Sequence, residues 1–426
     1  MEGIQIKFNM TIGIYGIGSQ SGRAFFADYL AKGYNVIGYA RNSVNGNIVL
    51  DAIHSIKGIY LERPENANHE ESRFVPFTKN SGVTSDLSVF VQNVDVVIIA
   101  LPSIYQEESV QHLNDCGLWK RRIPIILSPS RTIASPYLWK ILGDKYPIVC
   151  FSTCPYSCKT PRPNTSLIKR RKRTWVATLE GDFTREQVKM VKDLFPQAAV
   201  SRIPALTSLN NIGAIFHCAT YVLNYDEITR RQKEGGAYSF YMEGIAQRYD
   251  VGKVLEEIDQ VRLHIAHKLD LNTFGLSENP REDIWRKLTN GQRALEEEHE
   301  DEIEVLRSIR RLFMEYLNNS IISAQHWLDI TYGVIRQEGE CLSDTIGRTP
   351  TYQKNSVPQF RYIEEDIPTG LVPFEALAKM LNIECSIITD IINKGSKIVG
   401  KDLRKIGRNL KQFSKEYIID YLKGII

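Results

Sequence analysis

The spacing of apolar residues divides the chain into two halves with different patterns. In the first half, short continuous apolar runs predict buried strands, and segments with apolar residues at helical spacing lie between them. From about residue 205 the pattern is helical throughout. We therefore predict an α/β domain with a doubly wound parallel sheet over residues 1–200, followed by a mostly α-helical domain over residues 201–426. The predicted strands cover residues 12–15, 34–40, 95–102, 123–127, 148–151 and 174–179.

A glycine-rich turn joins the first strand to the first helix. Gly16 permits a tight turn, Gly18 lets a pyrophosphate approach the backbone, and the small Ser21 keeps the helix close to the strand. The helix N-terminus adds amide donors and a partial positive charge. An ordinary βα turn is the alternative, but a second strand follows at the expected distance. We therefore predict a dinucleotide site of the Rossmann type, formed by these three residues and Gly22.

The residues at the ends of the second and third predicted strands are candidates for cofactor binding, and those after the second strand bear on which dinucleotide binds. The second strand is followed by Arg41 and Asn42, without the acidic residue that usually binds the ribose hydroxyls of NAD. A guanidinium grips a 2′-phosphate, so NADP is favoured over NAD, although Arg41 could also be an ordinary surface arginine. Leu101 and Pro102 end an inner strand, where cofactors bind in open α/β folds. Gln106, just beyond, is a weaker candidate for substrate contact.

Composition excludes several functional classes. The 426 residues carry a formal net charge of +3, which gives no argument for binding nucleic acid. No apolar run reaches the roughly 18 residues of a membrane span, and the first residues do not form a signal peptide. Seven cysteines, an odd number, indicate reduced thiols and a cytoplasmic protein. Cys150, Cys154 and Cys158 are evenly spaced, but no second ligand pair accompanies them, so no metal site is predicted.

Two segments stand out by their charge. Lys169–Arg173 is a basic run that could be a nuclear signal or a polyanion patch, but its position between a proline-containing turn and the next strand predicts a solvated hairpin loop. Residues 275–322 are rich in charge and carry an apolar stripe, which predicts an amphipathic helical insertion. This insertion could contact a partner protein or a second copy of the chain in a homodimer.

Three motifs in the second half resemble the octopine/opine dehydrogenase family. Asn211–His217, followed by Leu223-Asn224, resembles the family segment N-x-N-x-x-x-H…L-N, although Gly213 replaces the second Asn. Phe240–Ile245 resembles its F-Y-x-E-G-I segment. Arg361–Pro373 resembles the long signature R-Y-x-x-E-D-[VI]-x-x-G-L-V-P. The resemblance covers nearly the whole chain except about residues 275–322.

This resemblance implies a reaction and the residues that perform it. An amino acid and a 2-oxo acid such as pyruvate would condense to an imine, which NADPH reduces to an N-(carboxyalkyl)amino acid. His217 resembles the family's catalytic histidine, Asp366 its carboxylate partner, and Arg361 an arginine that contacts a substrate carboxylate; Cys158 resembles a cysteine near the substrate. These residue types suit the chemistry, because histidine moves protons near neutral pH and a carboxylate fixes its tautomer.

Other interpretations of the same residues stay open. His217 could be a core histidine, Asp366 a helix cap, and Arg361 part of an ordinary ion pair. The protein could instead be another two-domain NAD(P)-dependent 2- or 3-hydroxyacid dehydrogenase, such as a ketopantoate-type enzyme. A cofactor-binding sensor without catalytic activity is the alternative outside the enzymes.

Overall fold

A computed structural model describes residues 10–64, 73–172, 174–276, 282–337, 339–353 and 357–426, with side chains not described for 282–286. The chain divides into two compact units, residues 1–207 and residues 208–425. The predicted fold class is confirmed, since a Rossmann-type parallel sheet is followed by a helical domain. In the described residues, no helix combines the length and the apolar character needed to cross a membrane.

The first unit is built on an eight-stranded sheet with a smaller sheet beside it. The strands of the unit are β1 (Thr11–Tyr15), β2 (Asn35–Tyr39), β3 (Gly58–Glu62), β4 (Arg73–Pro76), β5 (Gly82–Thr84), β6 (Val96–Ile99), β7 (Ile125–Leu127), β8 (Ile148–Phe151), β9 (Tyr156–Lys159), β10 (Thr165–Arg171), β11 (Trp175–Glu180) and β12 (Ala198–Ser201). The large sheet has the order β12-β11-β8-β7-β6-β1-β2-β5, and only the β11–β8 pairing is antiparallel. The parallel strands β1, β6, β7 and β8 are fully buried, as their continuous apolar runs predict.

Helices cover the sheet of the first unit. Those that begin before residue 209 are α1 (Gln20–Ala31), α2 (Val44–Ile56), α3 (Leu87–Asn93), α4 (Gln106–Asp115), α5 (Leu118–Arg121), α6 (Ser135–Leu142), α7 (Arg185–Leu194) and α8 (Ala205–Ser208). A 3₁₀ turn, Ser103–Tyr105, precedes α4.

Helix α1 lies between the two sheets of the first unit. It contacts β1 and β2 of the large sheet and all four strands of the small one, whose order is β4-β3-β10-β9. Nine consecutive residues of α1 are buried, which is typical of a helix with apolar neighbours all round. The burial includes Asp28, which accepts hydrogen bonds from Tyr156 and Arg171. Burial raises the pKa of Asp28, but Arg171 and Lys32 outweigh it and hold that pKa below its usual value.

The basic run lies on a strand, which corrects one prediction. Residues 169–171 form the end of β10, beyond its pairing with β3, and do not form a hairpin loop. All three residues are exposed, so their charges cost little, and Arg171 also reaches the buried Asp28. Arg173 lies outside the described residues.

Among its described residues, the second unit is helical except for one short pair of strands. Its helices are α9 (Ile212–Leu223), α10 (Tyr225–Lys233), α11 (Tyr249–Lys268), α12 (Glu282–Glu298), α13 (Ile303–Asn318), α14 (Ala324–Tyr332), α15 (Leu342–Arg348), α16 (Pro350–Gln353), α17 (Arg361–Glu364), α18 (Val372–Met380), α19 (Ser386–Val399), α20 (Leu403–Ile406) and α21 (Lys415–Lys423). Two π turns, Met242–Ala246 and Ile367–Leu371, interrupt them, and β13 (Thr273–Phe274) pairs with β14 (Ile321–Ile322).

Helix α9 is the centre of the second unit. Nine of its twelve residues are buried, and it packs against α11, α17, α19 and both π turns. The segment predicted as an insertion contains α12 and α13, which contact each other; residues 277–281 lie outside the described residues. The apolar side chains Ile303 and Leu312 of α13 are exposed.

Candidate dinucleotide and acid–base sites

Hydrogen bonds tie the glycine turn to the two strands beside β1. Ser19 caps helix α1, since its Oγ accepts from the Gly22 amide at 2.9 Å. The same hydroxyl donates to the Ala100 carbonyl at 2.7 Å, just past β6. The Gly16 amide donates to the Tyr39 carbonyl at the end of β2 at 3.0 Å. The turn is therefore fixed before any ligand binds.

Each small residue of the turn meets different surroundings. Gly16 has a φ of +99°, which favours glycine, and Gly18 has no atom within 4 Å of the place where a Cβ would stand. A Cβ on Gly22 would lie 2.1 Å from the Gly16 carbonyl oxygen. The close approach that the sequence assigned to Ser21 therefore depends on Gly22. The Ser21 hydroxyl instead donates to the Ala100 carbonyl at 3.3 Å.

A cavity of about 280 Å³ opens beside this turn. Five residues that the sequence predicted for cofactor binding line it, and they are Gly16, Gly18, Arg41, Leu101 and Pro102. The open space above Gly18 and the helix N-terminus beside it fit a pyrophosphate, and the apolar wall fits an adenine or ribose ring. Asn42 is not among the lining residues; its Oδ1 accepts from Asn47 at 2.9 Å.

A positive and a negative side chain line the cavity near the end of β2. Arg41 and Glu108 both line it and form an exposed ion pair at 3.6 Å. Ser43 caps α2 by accepting from the Gly46 amide at 3.1 Å, and both also line the cavity. A guanidinium and a helix N-terminus suit a 2′-phosphate, whereas Glu108 suits ribose hydroxyls. Sequence reasoning missed Glu108, because it comes from α4 and not from β2.

Arg23 places a buried positive charge behind the glycine turn. Its guanidinium donates to the carbonyl of Gly18 at 3.1 Å and to those of Arg162 and Pro163 at 3.1 and 3.2 Å. These partners are neutral, and burial lowers the pKa of Arg23. Arg23 also lines a second cavity, of about 350 Å³, that shares Gly18 with the first. A charge so close to the turn favours bound phosphates.

Gln106 and Cys158, two residues that the sequence predicted to contact substrate, lie in surroundings typical of structural residues. Gln106 is fully buried, and its Nε2 donates to the Pro129 carbonyl at 2.8 Å. Cys158 lies on β9 and packs against the hydrophobic core. Burial raises the pKa of Cys158 to about 12, so its thiol is protonated at neutral pH. No group of three or more His, Cys, Asp or Glu side chains suited to a metal ion occurs within the described ranges.

In the second unit, the structure brings His217 and Asp366 together. The His217 Nδ1 lies 2.7 Å from the Asp366 Oδ2, although the two residues are 149 positions apart. The His217 side chain is 18% exposed and that of Asp366 only 2% exposed. Asp366 precedes a π turn but makes no capping hydrogen bond there. This pairing favours the acid–base interpretation over a core histidine or a helix cap.

Two close approaches hold the surrounding segments against α9. Gly370 lies so near α9 that a Cβ there would be 2.6 Å from the Ala214 Cβ, and this brings the π turn after Asp366 towards the histidine. On the other side, Asn224 Nδ2 donates to the Gly244 carbonyl at 3.1 Å. Residues 240–245 are thereby fixed against the helix that carries His217. The motifs Phe240–Ile245 and Arg361–Pro373 thus both pack against the helix that carries His217.

Tyrosines surround the imidazole. The His217 Nε2 lies 3.2 Å from the Tyr241 hydroxyl, and the Tyr362 ring stacks on the imidazole with a centroid distance of 4.0 Å. Tyr241 in turn stacks on Tyr352 at 3.9 Å. Sequence reasoning missed these residues, because aromatic side chains at helical spacing usually belong to a core. The motif letters around Tyr241 and Tyr362 were the available signal.

Arg361 lies at the margin of this cluster. Its Nη1 is 3.5 Å from Glu365 Oε2, its Nε donates to Gln359 at 2.6 Å, and its side chain is 54% exposed. Its guanidinium also lies 5.7 Å from the centre of the Tyr362 ring. The ion pair agrees with the ordinary interpretation of Arg361, and its exposure leaves the guanidinium accessible to an anionic ligand.

Asp259 and Arg262 have an architectural function. Arg262 is fully buried and donates to Asp259 Oδ1 at 2.6 Å, to the Leu209 carbonyl at 2.8 Å and to the Ile322 carbonyl at 2.5 Å. The pair therefore joins α11 to the segment before α9 and to β14.

Comparison with known proteins connects the second unit to one enzyme family. Residues 205–399 match the family described as NAD/NADP octopine/nopaline dehydrogenase, alpha-helical domain. The opine dehydrogenase of Arthrobacter sp. (strain 1C) is 23% identical over 410 residues, which cover 94% of each chain. Octopine dehydrogenase in complex with NADH and agmatine superposes with a TM-score of 0.67 at 15% identity, over 96% of this chain and 98% of that one. Yersinopine dehydrogenase with NADP⁺ bound gives a TM-score of 0.57 at 11% identity, over 98% of both chains.

Proposed function

We propose that the chain condenses an amino acid with a 2-oxo acid reductively, because residues 205–399 match the helical domain of the NAD/NADP octopine/nopaline dehydrogenases and an opine dehydrogenase is 23% identical over 94% of the chain. The product is an N-(carboxyalkyl)amino acid. The observation that carries the proposal is the pairing of His217 with Asp366 at 2.7 Å in the part of the chain that matches the family. Octopine dehydrogenases have been solved with NADH and L-arginine or pyruvate, which are an amine and a 2-oxo acid.

His217 and Asp366 move protons in this reaction. Forming the imine requires a base for the amine and an acid for the departing water, and an imidazole serves both near neutral pH. Asp366 fixes the tautomer and stabilises the imidazolium, as the carboxylate of a catalytic triad does. Arg361 binds a substrate carboxylate. Its guanidinium therefore has to leave the ion pair with Glu365 when the substrate binds.

NADPH is the cofactor that we propose for the first unit. When bound, it supplies the hydride for the reduction. The glycine turn and α1 hold the pyrophosphate, Leu101 and Pro102 form the apolar wall, and Arg41 binds the 2′-phosphate. Arg41 carries the preference for NADPH over NADH, because a guanidinium binds phosphate in a bidentate manner.

Oxidation of NADPH and of NADH, with 2-oxo acids and a panel of amino acids, tests the proposal. We expect oxidation that needs both substrates, prefers NADPH and falls about 10²- to 10⁴-fold in His217→Ala. His264→Ala is the matched control, because His264 is another helical histidine of the same unit and its Nδ1 faces the Gln260 carbonyl. Oxidation with the 2-oxo acid alone would indicate a hydroxyacid dehydrogenase. Tight NADPH binding without turnover would support a sensor.

A further inference from the structure

Both ring nitrogens of His217 have a partner in this structure. Asp366 faces Nδ1 at 2.7 Å, and the Tyr241 hydroxyl faces Nε2 at 3.2 Å. A carboxylate only accepts hydrogen bonds, so Nδ1 carries the hydrogen in the neutral imidazole and Nε2 is then the acceptor. The Tyr241 hydroxyl therefore donates to the nitrogen that general acid–base catalysis would use.

The surroundings of Tyr241 hold its hydroxyl in place and keep it protonated. Its ring stacks on Tyr352 at 3.9 Å and meets the edge of Phe240 at 5.3 Å. Burial raises the pKa of Tyr241 well above its usual value, with smaller contributions from Tyr362 and Tyr332. Its residue surface is nevertheless partly exposed, as is that of His217. The raised pKa means that the hydroxyl retains its proton at neutral pH.

We propose that Tyr241 is a catalytic residue, whose hydroxyl exchanges protons with the substrate while His217 and Asp366 act behind it. The inference rests on the proposed function and assigns the terminal proton donor within it. Since the Tyr241 hydroxyl already occupies Nε2, a substrate that used Nε2 directly would have to displace it. Transfer through the hydroxyl needs no such displacement.

The proton balance of the step is simple. When the carbinolamine loses water, its C–O bond breaks and the nitrogen lone pair forms the C=N bond. The departing oxygen takes the Tyr241 proton, and Tyr241 takes one from Nε2 of a protonated His217. The neutral imidazole keeps its Nδ1 hydrogen on Asp366 and regains one proton from solvent. One carbinolamine and one proton thus give one iminium ion and one water, without transfer of electrons between molecules.

The test compares Tyr241→Phe, His217→Ala and the double variant. Phenylalanine keeps the stacked ring, so we expect kcat to fall at least about 100-fold while KM and the Kd for NADPH change less than about threefold. Residues that act as one unit have non-additive effects. The kcat of the double variant should therefore lie within about threefold of the kcat of the slower single variant. Tyr225→Phe, which removes the hydroxyl of another partly exposed tyrosine of the unit, serves as control.

Three outcomes would overturn the assignment. A Tyr241→Phe enzyme within about threefold of wild-type kcat would mean that His217 contacts the substrate directly. Losses that multiply in the double variant would mean that the two residues act independently. A wild-type enzyme without amine-dependent oxidation would overturn the proposed function and this assignment with it. Should Tyr241→Phe fail to fold, difluorotyrosine at position 241 replaces it, and an unchanged kcat with this more acidic phenol would equally contradict the proposal.

Discussion

Replacing the glycines of the turn after β1 separates their structural role from the cofactor-binding role that we propose for them. In Gly22→Ala, the new Cβ would stand 2.1 Å from the Gly16 carbonyl oxygen, and this contact would have to lengthen to about 3.4 Å, the start of ordinary van der Waals contact. The opposing atom is backbone, so helix α1 must move away from the turn. Because both sides of α1 are covered, we expect a loss of about 1–3 kcal/mol in the free energy of unfolding.

Gly18→Ala should behave in the opposite way. No atom lies within 4 Å of its Cβ position, so the free energy of unfolding should change by no more than about 0.5 kcal/mol. The methyl group would occupy the space that the pyrophosphate approaches, and the Kd for NADPH should rise at least tenfold, or about 1.4 kcal/mol. Gly82→Ala, at another position with no neighbour within 4 Å, should change neither quantity.

Thermal unfolding of the ligand-free variants and fluorescence titration with NADPH measure the two effects. For a unit of this size, the loss expected in Gly22→Ala corresponds to a Tm lower by roughly 3–10 °C. The reasoning is refuted if Gly22→Ala unfolds at the wild-type temperature, or if Gly18→Ala binds NADPH with wild-type affinity.

Three further changes test the charged residues. Asp366→Asn should lower kcat roughly 10²- to 10⁴-fold at an unchanged Kd for NADPH, because the imidazole loses its fixed tautomer; steady-state kinetics would contradict this if kcat stayed within a few-fold. Arg41→Ala should raise the Kd for NADPH roughly tenfold more than the Kd for NADH, and equal effects in titrations would exclude a 2′-phosphate contact. Burial lowers the pKa of Lys172 from 10.5 to about 8, so between these pH values the unfolded chain binds more protons than the folded one. The free energy of unfolding of the wild type should therefore rise with pH in this range, by up to about 3 kcal/mol relative to Lys172→Met, as measured by urea denaturation. A difference between the two proteins that stays constant from about pH 7 to 10 would refute this.

The parts of the fold that follow local rules were predictable from sequence. Strands such as β6 and β8 are buried on both faces and read as continuous apolar runs, and the turn at Gly16 has a recognisable spacing. The small sheet was not predictable, because exposed basic residues of β10 hide its strand pattern. Its position over α1 depends on Asp28 and Arg171, which lie 143 residues apart.

The candidate site shows the same division. The motifs indicated His217 and Asp366 as candidates, but their contact across 149 residues depends on the tertiary structure. Glu108 beside Arg41 escaped prediction because it comes from α4 and not from the end of β2, and Tyr241 beside His217 because aromatic residues in a helical pattern usually belong to a core. Gly22 was named, but its packing against the Gly16 carbonyl depends on the path of the chain in three dimensions.

The enclosure of α1 between two sheets has a consequence for local opening. Its amide hydrogens exchange with solvent only when a sheet separates from it or the whole unit unfolds. In ligand-free protein, mass spectrometry of hydrogen–deuterium exchange should therefore find α1 as slow as the interior strands β1 and β6. Added dinucleotide should slow exchange in the loops after β2 and β6, and change α1 little. Substitutions in those loops are then expected to change the choice between dinucleotides, while the glycine turn stays unchanged.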